Sequence, residues 1–268
     1  MMRFTLRQEP PLRLAADALV PERLAGRSRG EIERLPLAIG NRPSMLGDWF
    51  RVSGEAEATL AIEGPCRRLD RIGAGMGSGS RIVVEGDAGA YLGLGLRGGA
   101  IEVAGNAGFG AATDMQSGVI RIAGNAGDGV GGALPGAAGG MSDGAVIIGG
   151  RAGAAAGARL RRGLIAVVGD VGEGCGAGML AGTIVGGGTI ARGAGAAMRR
   201  GTIVALGRAP HIGACFADCG VHDLVVLRLL ARELDRLGVE ALAARIGSLR
   251  RFMGDGAVSG RGEMFIVG

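Results

Sequence analysis

Lysine is absent from this chain of 268 residues, so all 30 basic side chains are arginine. Aromatics make up only 3% of the chain, with one Trp and one Tyr. That scarcity argues against single-stranded nucleic-acid binding, which relies on aromatic stacking platforms. The only two histidines are His211 and His222. General-base chemistry away from them would fall to carboxylates, and none is distinctively paired. The four cysteines, Cys66, Cys175, Cys215 and Cys219, contain no paired C-x-x-C knuckle of the kind that marks structural zinc. No run of about 18 apolar residues escapes a charge or a glycine cluster, so no membrane-spanning helix is expected. The start, Met1 to Pro11, carries Arg3, Arg7 and Glu9 without a long apolar run. It does not read as a signal peptide, and a cytoplasmic location is expected.

What the chain has in abundance is glycine, at 56 positions. Collagen would need it at every third residue, and the spacing differs. Disorder would need low hydrophobicity, but 47% of residues are apolar. A glycine-punctuated repeat remains. The central region aligns with itself at a shift of 19. One glycine column holds Gly86, Gly105, Gly124, Gly150, Gly169, Gly188 and Gly207, with one step of 26 among steps of 19. A second holds Gly79, Gly99, Gly118, Gly144, Gly163, Gly182 and Gly201. A third, three places earlier, holds Met76, Leu96, Met115, Met141, Leu160, Met179 and Met198. A fourth holds Ile101, Ile120, Val146, Ile165, Ile184 and Ile203.

Within a unit, Val119 to Ala123 alternates apolar and polar residues, as a half-buried strand does. One unit cannot bury its apolar face alone, and stacking in line buries it. The expected fold is therefore an all-β core, a single-stranded right-handed parallel β-helix of about seven to eight coils. Ladder spacing of about 4.8 Å makes that a rod of roughly 35 Å. The long step leaves an inserted loop containing Leu134, Pro135 and Gly136. Loops of this kind are candidate contacts.

Three segments follow: an extended N-terminal arm with a short helix (1–56), the β-helix (57–210), and a C-terminal helical cap and tail (211–268). Ser28 to Glu31 reads as a capping box opening the short helix, which ends before Pro36. Trp49 and Phe50 either cap the open end of the rod or anchor an interface. Leu224, Leu227, Leu230, Ala231, Leu234 and Leu237 share one helical face ending at Gly238, with a second short helix to Ile246. This helix is expected to cover the last coil.

Candidate chemistry is sparse. Gly93, Gly95 and Gly98 match a dinucleotide pattern, but a strand rather than a helix follows, and the repeat accounts for them. His211, Cys215, Cys219 and His222 would share a face on one continuous helix, but Pro210 and Gly220 interrupt it. They read as buried small residues and cap histidines, with no metal. Ser44, His222 and Asp223 supply the elements of a triad, but no motif joins them. No catalytic residue is assigned. Arg159, Arg161 and Arg162 fall at the same rotational position as Arg199 and Arg200, two coils on, with Arg97 further up. Such a corner is either solvated or a ladder for a polyanion or an acidic partner surface. An all-arginine set suits bidentate carboxylate or phosphate contacts, although genomic base composition also accounts for it.

The repeat Gly118 to Gly127 resembles the glycine-rich β-helix shared by the glutamate synthase C-terminal domain and the C subunit of formylmethanofuran dehydrogenase. With Phe4 to Arg7, Leu37 to Arg42 and Leu46 to Phe50, the chain is most similar to the bacterial version, in the formyltransferase/hydrolase complex of methylotrophs. The resemblance implies a non-catalytic scaffold in tetrahydromethanopterin-linked one-carbon metabolism. Partner subunits would move a formyl group to a furan-type cofactor and release formate. No cofactor is expected to bind this chain tightly. Partners are the other subunits, with no nucleic acid and no membrane. The glutamate-rich tails of furan cofactors make an anionic candidate for the arginine corner. The alternatives are the C subunit of a molybdenum or tungsten dehydrogenase, or a glutamate-synthase-like channelling domain.

Overall fold

The structure is a computed structural model that describes residues 1–208 and 211–267. Pro210, and the segment boundary placed there, lie outside the described residues. The chain is mostly β with few helices. It opens with β1 (Met2–Leu6), β2 (Leu14–Ala15), α1 (Pro21–Leu24), α2 (Arg29–Glu33), β3 (Pro36–Ile39), β4 (Arg42–Met45), α3 (Leu46–Trp49) and β5 (Phe50–Ser53). The middle holds β6 (Thr59–Glu63), β7 (Leu69–Asp70), β8 (Arg81–Val84), β9 (Arg97–Val103), β10 (Ser117–Ile122), β11 (Ala145–Ile148), β12 (Leu164–Val167), β13 (Thr183–Gly186) and β14 (Thr202–Ala205). The end is β15 (Ala217–His222), α4 (Val225–Arg236), α5 (Glu240–Ala243), β16 (Leu249–Gly254) and β17 (Gly262–Ile266).

Among the described residues, thirteen strands form one mixed sheet and four (β4, β3, β2 and β7) a smaller one. In the large sheet, β1, β6, β8, β9, β10, β11, β12, β13, β14 and β17 lie side by side in chain order, each parallel to the next. The register is that of the repeat. Leu60, Ile82, Ile101, Ile120, Val146, Ile165, Ile184, Ile203 and Met264 follow one another as paired residues. Each of them is at most 1% exposed. The column from Met76 to Met198 is equally enclosed, at 0% throughout.

Successive units also meet away from this sheet. Parallel bridges link Ala88, Ala107, Ala126, Ala152, Val171 and Ile190 in turn. A third line runs through amides donating to the Met/Leu column: Gln116 to Leu96, Ser142 to Met115, Arg161 to Met141, Leu180 to Leu160 and Arg199 to Met179, at 2.7–2.9 Å. Side chains tie the turns together. The Asp87 Oδ1 accepts from the Asn106 amide, the Asn106 Oδ1 from Asn125, and the Asn125 Oδ1 from Arg151.

Both glycine columns lie against the backbone of the previous unit, and one of them also turns the chain. Gly118 sits at φ +98°, a left-handed turn that a Cβ resists. Gly124 has an ordinary φ, but a Cβ there would lie 2.8 Å from the Gly105 carbonyl oxygen of the previous unit. It is small because the backbones touch.

Three expectations need correction. The N-terminal segment is not an extended arm. Its β1 alternates buried Phe4 and Leu6 with Arg3 and Thr5, and joins the large sheet parallel to β6. The parallel array is longer than seven or eight units, because β1 and β17 extend it at both ends. The C-terminal helix does not cover the last unit. β17 adds to β14, and antiparallel β16 and β15 finish that end. Helices α4 and α5 lie instead on the outer face of the sheet, where Leu227, Leu234, Leu237 and Leu242 pack on Ile147, Leu164, Ala166, Val185, Val204 and Phe265. The reason lies in the strands: β11 and β12 are buried on both faces, whereas Arg81, Glu102 and Arg121 point outward from β8, β9 and β10.

The capping box is present: the Ser28 Oγ accepts from the Glu31 amide, and the Glu31 carboxylate accepts from the Ser28 amide at 2.8 Å. α4 ends before Gly238 at φ +71°.

Candidate functional site

The repeat assembles the arginines named from the sequence along one line of its units. All six arginines named from the sequence are exposed. Arg161 follows Met141 in the third ladder and Arg199 follows Met179, so they stand two units apart, about 10 Å by ladder spacing. Arg162 and Arg200 are their next neighbours. Arg159 sits just upstream, its stem over Gly178 of the next unit. Arg97 occupies the same ladder, but Gln116 and Ser142 stand between it and Arg161. The structure thus brings five of the six together and leaves Arg97 apart.

Sequence reasoning missed Arg261. Its amide donates to the Arg199 carbonyl at 2.7 Å, which places it in register with Arg200 on the final unit. The signal was present: Gly262 to Ile266 has the glycine-then-apolar form of every other unit.

Arg192 on a neighbouring turn pairs with Glu173, and Arg250 with Asp218. Among the described residues, Arg159, Arg161, Arg162, Arg199, Arg200 and Arg261 have no carboxylate partner. Arg161, Arg162, Ser142, Leu180 and Ala181 line a polar hollow of ≈ 570 Å³. The inserted loop borders it, since a Cβ on Gly139 would lie 2.6 Å from the Arg161 Cδ. Pro135 at the tip of that loop is exposed and Leu134 half-buried. Chemically, the corner offers unpaired guanidinium forks to carboxylate or phosphate oxygens.

The remaining named residues separate. Phe50 is fully buried and meets Phe4 edge to face at 6.1 Å, so its ring belongs to the core. Trp49 is half-buried, with its Nε1 donating to the Ser44 Oγ at 2.8 Å. Ser44 in turn donates to Asp48, His222 meets the Cys219 carbonyl, and Asp223 pairs with Arg228. No triad forms among them. His222 and Cys219 lie on strand β15 rather than on a helix, and Cys215 and Cys219 are exposed, which corrects the expectation of burial. Among the described residues no group of three His, Cys, Asp or Glu side chains is placed to hold a metal. No helix among them is long and apolar enough to cross a membrane.

No family model matches the chain. Similarity to known proteins places it nonetheless among the C subunits of formyl-handling enzyme complexes. It belongs to the family of the C subunit of the formyltransferase/hydrolase complex Fhc: that protein from Methylorubrum extorquens is 48% identical over 266 residues, 99% of each chain. A chain of the crystal structure of the formyltransferase/hydrolase complex FhcABCD from M. extorquens, in complex with methylofuran, superposes with a TM-score of 0.91. The superposition has 38% identity and covers 99% of both chains. The C subunit of the tungsten-containing formylmethanofuran dehydrogenase 2 from Methanothermobacter marburgensis is 36% identical, over 34% of this chain and 36% of its own length.

Proposed function

We propose that this chain is a scaffold subunit, with no active site of its own, of a formyltransferase/hydrolase complex that uses a furan-type cofactor. The observation that carries it is full-length likeness, in sequence and in backbone, to a subunit of such a complex. The molybdenum and tungsten dehydrogenase subunits share only about a third of the chain with it, which favours the hydrolytic setting. We read the three lines of contact between successive units as a single-stranded, right-handed parallel β-helix, a rigid rod that holds partner subunits in place in the cytoplasm. In this reading formyl transfer and hydrolysis, with the tetrahydromethanopterin carrier, belong to the partners. The arginine corner receives an acidic partner surface or the anionic tail of the cofactor. Trp49 and the loop at Leu134 and Pro135 are further contacts.

Co-expression with the neighbouring subunits tests the reading. The chain should copurify with them in fixed ratio and show no formyl hydrolysis alone. Turnover by the pure chain, or failure to assemble, would reject it. For the corner, Arg161→Ala with Arg200→Ala should weaken cofactor or partner binding about tenfold or more while the thermal melt is unchanged; each tenfold is about 1.4 kcal/mol. Unchanged affinity in a titration of the assembled complex would remove the corner from the proposal.

A further inference from the structure

The outer face of the large sheet is covered by α4 and α5 over β11 to β14 and then left open. The opening is an apolar groove of ≈ 430 Å³ between the turn at Gly238 and the strands β8 to β11. Its floor is one column of the repeat. Amide-to-carbonyl bonds link Ala104, Ala123, Gly149, Val168, Gly187 and Leu206 to the preceding units at equivalent positions. Further along, this column is already occupied: Leu242 of α5 seats on Gly187 so closely that a Cβ there would lie 2.6 Å from the Leu242 Cδ2. Arg245 fixes that contact by donating to the carbonyls of Gly187 and Leu206. The groove at Ala104, Ala123 and Gly149 is therefore the repeat equivalent of the Leu242 seat, two to four units back, with the same kind of small floor residue as Gly187 but left exposed. Beside it Val168 is 37% exposed. The rim is polar: Glu102 pairs with Arg81 at 2.7 Å, and Arg121 reaches across to the Leu237 carbonyl at the end of α4.

We propose that this groove seats an amphipathic helix of a partner subunit, which continues the helical layer that α4 and α5 begin. The inference rests on the assembly reading above. The occupant is a helix because the equivalent seat on this chain takes an aliphatic side chain from one. It is amphipathic because the floor is apolar and the rim charged. The column runs along the rod, so the helix crosses the strands as it touches successive units.

A photo-crosslinker carried on Ala123→Cys, in a chain whose exposed Cys215 and Cys219 are changed to Ser, tests this in the co-expressed complex. The expected product joins position 123 to a helical segment of another subunit. A crosslink to a second copy of this chain, to an extended segment, or to nothing would overturn the proposal. Ala123→Arg supplies an independent reading: affinity for the partner should fall at least tenfold while the melting temperature of the isolated chain holds. Undiminished affinity would count against the groove. If no partner copurifies with the unaltered chain, the assembly reading falls and the groove with it. If the complex assembles while position 123 stays uncrosslinked, only the groove falls.

Discussion

At the scale of single residues, glycines that look alike in the sequence carry different loads. Gly124→Ala places a methyl group 2.8 Å from a backbone oxygen of the neighbouring unit, with rungs on both sides preventing retreat. It should cost about 1–3 kcal/mol, read as a lower urea midpoint. Gly30 lies within helix α2, with nothing within 4 Å of its would-be Cβ. Gly30→Ala should stabilise by about 0.5–1 kcal/mol, since only the conformational penalty of glycine is removed. The cysteines divide in the same way. Burial pushes the thiols of Cys66 and Cys175 up to about 12, so neither supplies thiolate at neutral pH. Cys215 and Cys219 are exposed. A thiol reagent should modify two cysteines in the native chain and all four after unfolding; early modification of a third would show that the core opens locally. The periodicity that assigned Ile120, Ile165 and Ile184 to one internal column was legible because side-chain period and burial are local consequences of the strand. Which glycine column also turns the chain was not legible, because both columns recur at the same spacing and both lie against the neighbouring unit.

At the scale of elements, the amphipathic face of α4 could be read from the spacing of its leucines, but its destination could not. A helical stripe states that something apolar covers it without naming the surface. The missing clue lay in the strands: Ala145 to Ile148 and Leu164 to Val167 lose the alternation that Val119 to Ile122 keeps, and so call for cover on both faces. The N-terminal strand was likewise obscured, because Phe4 and Leu6 are separated from the next unit by the α1–α3 excursion. For the same reason the arginine corner was legible in its repeated part and incomplete at Arg261. Leu234, fully enclosed between helix and sheet, should cost about 2–5 kcal/mol when changed to Ala. Leu229, on the same helix but 55% exposed, should change stability little. Arg121 holds the C-terminal carbonyl of α4 at Leu237, 2.6 Å away. Its loss should cost about 0.3–1 kcal/mol, as for a cation at a helix C-terminus. Chemical unfolding of the three variants orders them. A larger loss for Leu229→Ala than for Leu234→Ala would mean that the helix is docked the other way round.

At the scale of the whole molecule, each unit depends on its neighbours more than on its own contents, because stacking is what buries the internal columns. A quasi-one-dimensional array of this kind tolerates removal of a whole unit if register is kept. Deleting residues 105–123 joins Ala104 to Gly124, a glycine of the same column as Gly105, and brings β9 against β11 with Ile101 facing Val146. Three terms weaken: one rung of apolar stacking, the Arg121 contact with α4, and the Tyr91–Phe109 pair at 5.5 Å. The shortened chain should still unfold in one cooperative transition, at a lower temperature than the full chain. Deleting only residues 105–114 removes less of the chain but breaks the period. The following strand then arrives out of phase, the Ile120 column no longer meets Ile101, and polar positions turn inward. That variant should fail to fold, seen as loss of the cooperative melt and aggregation on size exclusion. If the ten-residue deletion folded and the nineteen-residue deletion did not, equivalence between successive units could not be what holds this molecule together.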